Sequence, residues 1–367
     1  MKKLFILLYA GLASILPACE TILPVDIPES EEWGITLNAV ASPDTTFWAY
    51  VTHCYPNSEA PNYDYEDMLH ENGLLEKASF RDYYHGSIWG PHDWDEIFGN
   101  TVNKILKKST LKAQVELTVN GLTTYPMVYD TLMLRYQSNY TPSIGDRLEV
   151  RINSASGEQT VARTEIPQPQ KLEIVETETE LLENAEYIEN LYAVQNRGYV
   201  KMKLRLHDPA GEKNYYRLAV RGITPRPTRL YNVWDIYLSS DPIFRDERLT
   251  SEWGAWPAFF SDVFDDSLIN GDSYEFEIKT YVITFDYDDY PTYEVSLQSI
   301  TEDYYHYLKS MQLYRISRSD TYSEGVYIHS NNEGGWGLLG GISGEVHQVE
   351  PFKDMNDSSD GNGSPTN

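Results

Sequence analysis

The groups from which this chain could build a reactive site are two cysteines, eight histidines and 56 acidic side chains. The histidines stand at 53, 70, 85, 92, 207, 306, 329 and 347, and no two have the spacing of an HExxH metal-binding helix. No cysteine pair accompanies them. A G-x-S-x-G nucleophile elbow is absent, and the glycine-rich stretch 334–344 lacks the lysine of a phosphate-binding loop. Two of the many carboxylates could face each other across a cleft as in a glycosidase, an arrangement that only the fold can make. Asp262, Asp265, Asp266 and Asp272 cluster near a turn and could give calcium its oxygen ligands, but their spacing is not that of an EF-hand, and a solvated loop has the same composition. Cys54, beside His53, could be a nucleophile; the competing reading is a small buried side chain in a strand. These patterns assign no cofactor and no metal.

Cys19 has a different context. Lys2 and Lys3 precede a mostly apolar run from Leu4 to Leu16, too short for the roughly 20 residues that span a bilayer. A charged flank followed by such a run reads as a secretory signal. It ends in Leu16-Pro17-Ala18-Cys19, similar to a bacterial lipobox, in which the chain is cut before the cysteine and the sulfur is acylated. The alternative is an ordinary signal peptide with an incidental cysteine. On the first reading, residues 1–18 are a lipoprotein signal peptide and residues 19–32, with Pro24, Pro28 and several acids, form an extended acidic tether. Cys54 would then be the only free thiol, so no intrachain disulfide could form.

Charge narrows the partners. The formal net charge is −27, and loss of Lys2 and Lys3 with the leader makes it −29. So acidic a body repels phosphate backbones and offers no polybasic membrane patch, which excludes nucleic acid as a partner.

The positioning elements read as strands. Gly34 to Val51 is strand, turn, strand around Ser42-Pro43-Asp44. Lys112 to Asn120 alternates apolar and polar and ends in an Asn120-Gly121 hairpin signal. Thr131–Tyr136, Arg147–Ile152, Thr160–Ile166, Val200–Leu206, Tyr215–Arg221, Tyr274–Phe285 and Tyr293–Leu297 continue the pattern. Residues 55–103, rich in Tyr and Trp and without a period, read as an insertion between strands. Within it Tyr83, Tyr84, Trp89 and Trp94 form either a recognition surface or rings that pack the insertion onto its own domain. Leu172 to Asn190 holds seven Glu and no Lys or Arg; its spacing of Leu181, Ala185, Ile188 and Tyr192 fits a short acidic helix. A second helix is expected after Ser299-Ile300-Thr301-Glu302, which resembles a capping box, with Tyr304, Tyr307, Leu308, Met311 and Tyr314 as its apolar stripe and Lys309 and Arg315 near its C-terminal dipole. The fold class that follows is all-β: two β-sandwich-like domains, residues 33–168 with the insertion and 169–350 with one amphipathic helix, then a disordered tail at 351–367.

Several segments in order resemble the Bacteroidota lipoprotein family of domain of unknown function 4249. They are Cys19-Glu20, Val115 to Gly121, Tyr140-Thr141-Pro142 with Gly145-Asp146, Thr164-Glu165-Ile166-Pro167, Asp208-Pro209-Ala210-Gly211 with Asn214-Tyr215-Tyr216-Arg217, Phe260-Ser261-Asp262 with Asn270-Gly271, Ser299 to Tyr305, and Asn331 to Gly341. The insertion is longer than the family pattern. The resemblance implies a secreted, mainly β lipoprotein, encoded near outer-membrane TonB-dependent receptors, and supplies no catalytic residue. The expected function is non-enzymatic: an outer-membrane protein held through Cys19 that binds a protein or extracellular ligand as an accessory to such a transporter. A surface glycan-binding or adhesive module, and a hydrolase with paired carboxylates, are the competing classes.

Overall fold

A computed structural model describes residues 34–54, 112–187, 195–223, 233–234, 237–249, 258–269, 271–283, 290–319 and 325–353. Its first half holds β1 (Gly34–Ala41), β2 (Trp48–Cys54), β3 (Ala113–Val119), β4 (Thr123–Pro126), β5 (Val128–Asp130), β6 (Arg135–Gln137), β7 (Arg147–Ser154) and β8 (Gln159–Glu165). The second half holds β9 (Leu172–Tyr187), β10 (Gln195–His207), β11 (Tyr215–Ile223), β12 (Val233–Trp234), β13 (Tyr237–Leu238), β14 (Val263–Asp265), β15 (Ser273–Ile283), β16 (Thr292–Ile300), the helix α1 (Glu302–Ser319) and β17 (Gly335–Val349). Among the described residues the class is all-β with one α-helix, near the C-terminus.

Alternation decides which face each strand buries. Ile35, Leu37, Ala39 and Ala41 of β1 face inward and meet Val115, Leu117 and Val119 of β3 and Leu148, Val150 and Ile152 of β7. Val200, Met202, Leu204 and Leu206 of β10 likewise meet Leu218 and Val220 of β11, Phe276 and Ile278 of β15, and Val295 and Leu297 of β16. Each such fully covered side chain contributes about 1.5–3 kcal/mol. Two cores result, one for each half of the chain. Phe352 is buried in the second and stacks on Tyr290, so packing continues past residue 350.

The two cores share a sheet. Nine strands run in the order β12-β11-β16-β17-β1-β2-β6-β5, with β14 also on β11. At its centre β17 pairs parallel with β1 and antiparallel with β16. Two four-stranded sheets, β4-β3-β7-β8 and β13-β15-β10-β9, cover the cores. The glycines of β17 permit the close packing around this seam: a Cβ on Gly340 would lie 3.0 Å from the Tyr304 side chain of α1.

Several local expectations are corrected. The acidic stretch is β9, a strand paired with β10, because Leu172 and Ile174 meet Leu206 and Leu204 at strand spacing. Within Thr131–Tyr136 only Arg135 and Tyr136 are strand; 131–134 form the turn from β5, where Asp130 Oδ1 accepts from the Leu132 and Met133 amides. Ser299 does not cap α1. It belongs to β16 opposite Ser343, its Oγ accepts from the Gln170 amide, and the helix opens at Glu302, with Tyr305 N donating to Thr301 O. Asn120 and Gly121 do make the tight turn, both at positive φ.

Candidate functional site

A buried group of charged side chains lies where α1 crosses β11 and β14. Val263, Ile300, Tyr304, Leu308 and Leu338 form the apolar part of this contact. Beside them Arg217 Nε donates to Asp262 Oδ2 at 3.0 Å, and Arg217 Nη1 donates to Gln298 Oε1 at 3.0 Å. Gln312 of α1 donates to Asp262 Oδ1 at 2.9 Å. Lys309, expected near the helix C-terminus as a dipole partner, instead points into the body. Its Nζ donates to Ser261 Oγ at 2.8 Å and lies 3.1 Å from Asp246 Oδ2, which also receives Arg248 at 2.7 Å.

Burial sets the electrostatics. Desolvation alone would raise the Asp246 carboxyl, but the Arg248 hydrogen bonds and the Lys309 ammonium outweigh it and hold the group well below the carboxylate range. Burial pulls the Lys309 ammonium below its ordinary value, against the attraction of Asp246. A lysine beside a serine hydroxyl could serve as a base, but here it faces a carboxylate, and Ser261 is 0% exposed. The arrangement is suited to clamping: α1 is fixed to Asp246 by the Lys309 ion pair and to Ser261 and Asp262 by hydrogen bonds from Lys309 and Gln312, while Arg217 ties Asp262 to Gln298 of β16.

Other polar side chains tie the body together in the same way. Asp146 accepts from Tyr140, Asn120 and the Ser143 amide, tying the Tyr140–Asp146 loop to the β3–β4 turn. Asp208 accepts from Tyr216 OH and the Gly271 amide. Asn331 bridges Arg163 O, Leu339 O and Asp303.

The aspartates read as possible calcium ligands do not converge. Asp262 faces Arg217; Asp265 and Asp266 share Lys213 at 3.1 and 2.6 Å; Asp272 stands in the turn before β15. Among the described residues no three or more His, Cys, Asp and Glu side chains gather as metal ligands. Cys54 ends β2 opposite Gly34. Cys19, Tyr83, Tyr84, Trp89 and Trp94 lie outside the described residues, as do 1–33 and 354–367. Sequence reading did not name Asp246, took Lys309 only as a dipole partner, and gave Ser261 and Arg217 no part in a site. The available signal was a lone lysine adjoining the apolar stripe of the helix.

Where the chain enters and leaves the body is nevertheless fixed. Gly34 pairs with Cys54 and Ile35 with Gly335. Thr160 Oγ1 donates to Gly334 O, Asn153 pairs with Gln159, and Ala113 with Ser154. Gly34, Cys54 and Ala113 therefore sit at the same end of their strands.

No curated protein matches the chain. The ordered segments from Val115 to Gly341 are thus both the internal ties of this body and the carriers of a wider pattern, for residues 20–346 match the family described as Domain of unknown function (DUF4249), to which the chain belongs.

Proposed function

We propose that this protein is a Bacteroidota outer-membrane lipoprotein, acylated at Cys19, that binds a protein or extracellular ligand without catalysis as an accessory to a TonB-dependent transporter. The observation that carries the reading is the leader: Lys2-Lys3, an apolar run too short to span, and a cysteine at its end. Fourteen residues lie between Cys19 and Gly34, a reach of at most about 50 Å. A body on so short a leash stays near the membrane. Cys54 and Ala113, which flank the Tyr- and Trp-rich residues 55–103 in the sequence, lie at the same end of the strands as Gly34. The composition of that segment supports recognition of a membrane-embedded partner by Tyr83, Tyr84, Trp89 and Trp94, since large rigid rings dominate binding hot spots.

Fractionation tests the anchor. The wild-type protein should stay with membranes through high salt and carbonate, and Cys19→Ala should appear in the soluble fraction with an unchanged melt. Cys19→Ala protein that remains with washed membranes would contradict the anchor. Recovery of the wild-type protein from detergent-solubilised outer membranes together with a TonB-dependent receptor tests the partner, and loss of that receptor on replacing Trp89 and Trp94 by Ala tests the surface.

A further inference from the structure

The outer face of the β13-β15-β10-β9 sheet carries its charges in columns. The β15 column is Glu275, Glu277, Lys279, the last opposite Lys201; that of β10 is Lys201, Lys203, Arg205; that of β9 is Glu173, Glu176, Glu178, Glu180. Register sets these columns side by side, with Arg205 between Glu173 and Glu275, Lys203 between Glu176 and Glu277, and Lys201 opposite Glu178. Arg205 bonds both of its neighbours, to Glu173 at 3.0 Å and to Glu275 at 2.9 Å; Lys203 reaches Glu275 at 2.6 Å and Lys201 reaches Glu180 at 3.6 Å. The β9 column is acidic throughout and faces the basic column of β10: a column beyond it would be matched by basic side chains, and no described strand supplies one.

β9 is the last strand of this sheet, hydrogen-bonded to β10 on one side. It is 16 residues long, with six Glu and no Lys or Arg, and every residue from Val175 to Leu181 is exposed. Glu176 and Glu178 make no ion pair among the described residues. A strand edge of this length presents a row of amides and carbonyls to any extended chain, and side chains at alternate positions then decide which chain fits. A second copy of this protein would set glutamate against glutamate, which the column opposes.

We infer that the edge of β9 that no described strand pairs accepts an extended segment of a partner protein carrying Lys or Arg at alternate positions, added as a further strand whose basic column faces the acids of β9 on the outer face. This inference does not rest on the membrane anchor or on the 55–103 surface. Main-chain bonds supply the pairing; Glu176, Glu178 and Glu180 supply the selection. The same acids keep the edge from joining its own kind.

The test uses the full chain without its leader and a short labelled peptide alternating Lys with Val and Thr, followed by fluorescence anisotropy. Two controls accompany it: a peptide of the same composition with its lysines clustered, and the alternating peptide N-methylated at every second residue. Binding of the alternating peptide about tenfold tighter than either control is the expected result, and high salt should weaken it. Triple replacement of Glu176, Glu178 and Glu180 by Lys should abolish that binding and favour the alternating Glu peptide instead, with the melt unchanged. Equal binding of all three basic peptides would mean charge attraction without strand addition and would overturn the inference, as would no binding.

Discussion

The burial of Arg217 and Asp262, with side chains 6% and 3% exposed, makes the pair costly to break from one side. Arg217→Met leaves a carboxylate covered by protein, and unfolding in denaturant should show a loss of about 3–5 kcal/mol. Arg217→Met combined with Asp262→Leu should recover most of it. If the double variant is no better than the single one, the pair is not the source of the cost. The tyrosines give a second expectation. Burial, with a carboxylate beside each phenol, pushes Tyr140, Tyr215 and Tyr274 up to about 12. A folded-state value above the unfolded 10 means the contribution is complete below pH 10 and lost as pH rises toward 12. Melting temperature should therefore fall steeply over that window, together with a cooperative rise in phenolate absorbance. A gradual rise with an unshifted midpoint would contradict it.

Among the elements, β17 and α1 depend most on one contact. Gly340→Val would drive a branched side chain into Tyr304 and should cost about 1–3 kcal/mol, with faster amide exchange along α1; Tyr304→Ala in the same protein should relieve the strain. Exchange confined to β17 with α1 unaffected would show that the helix is held elsewhere. The sequence displayed most of these elements, and the failures have physical reasons. Alternation in β3, β7, β10 and β15 is plain because one face is core and the other water. β9 misleads because beyond Ile174 both of its faces are exposed, so no period of two survives and a loose helical spacing can be drawn through Leu181. Ser299-Ile300-Thr301-Glu302 mimics a capping box because the strand β16 runs directly into α1. The ion pairs under α1 were illegible, since Asp246, Ser261 and Lys309 meet only after β11, β14 and α1 are packed. The central place of β17 was equally hidden, as its pairing with β1 joins residues about 300 apart.

At the scale of the whole molecule, two cores share one nine-stranded sheet whose middle is built from the first and last described strands. The body is closed by ion pairs within itself: Lys213 answers Asp265 and Asp266, and Arg217 answers Asp262. Removing divalent cations should thus leave the melt within about 2 °C, below about 1 kcal/mol. A larger drop with EDTA would return the 262–272 aspartates to the list of ligands.

The anchor on which the functional proposal stands can be read from a single object, the mature N-terminus. Mass spectrometry of the N-terminal peptide, prepared from washed membranes, should find a chain that starts at Cys19 and carries the mass of a diacylglyceryl group on sulfur plus an amide-linked acyl chain. A mature chain starting at another residue, or at Cys19 with a bare thiol, would contradict the account.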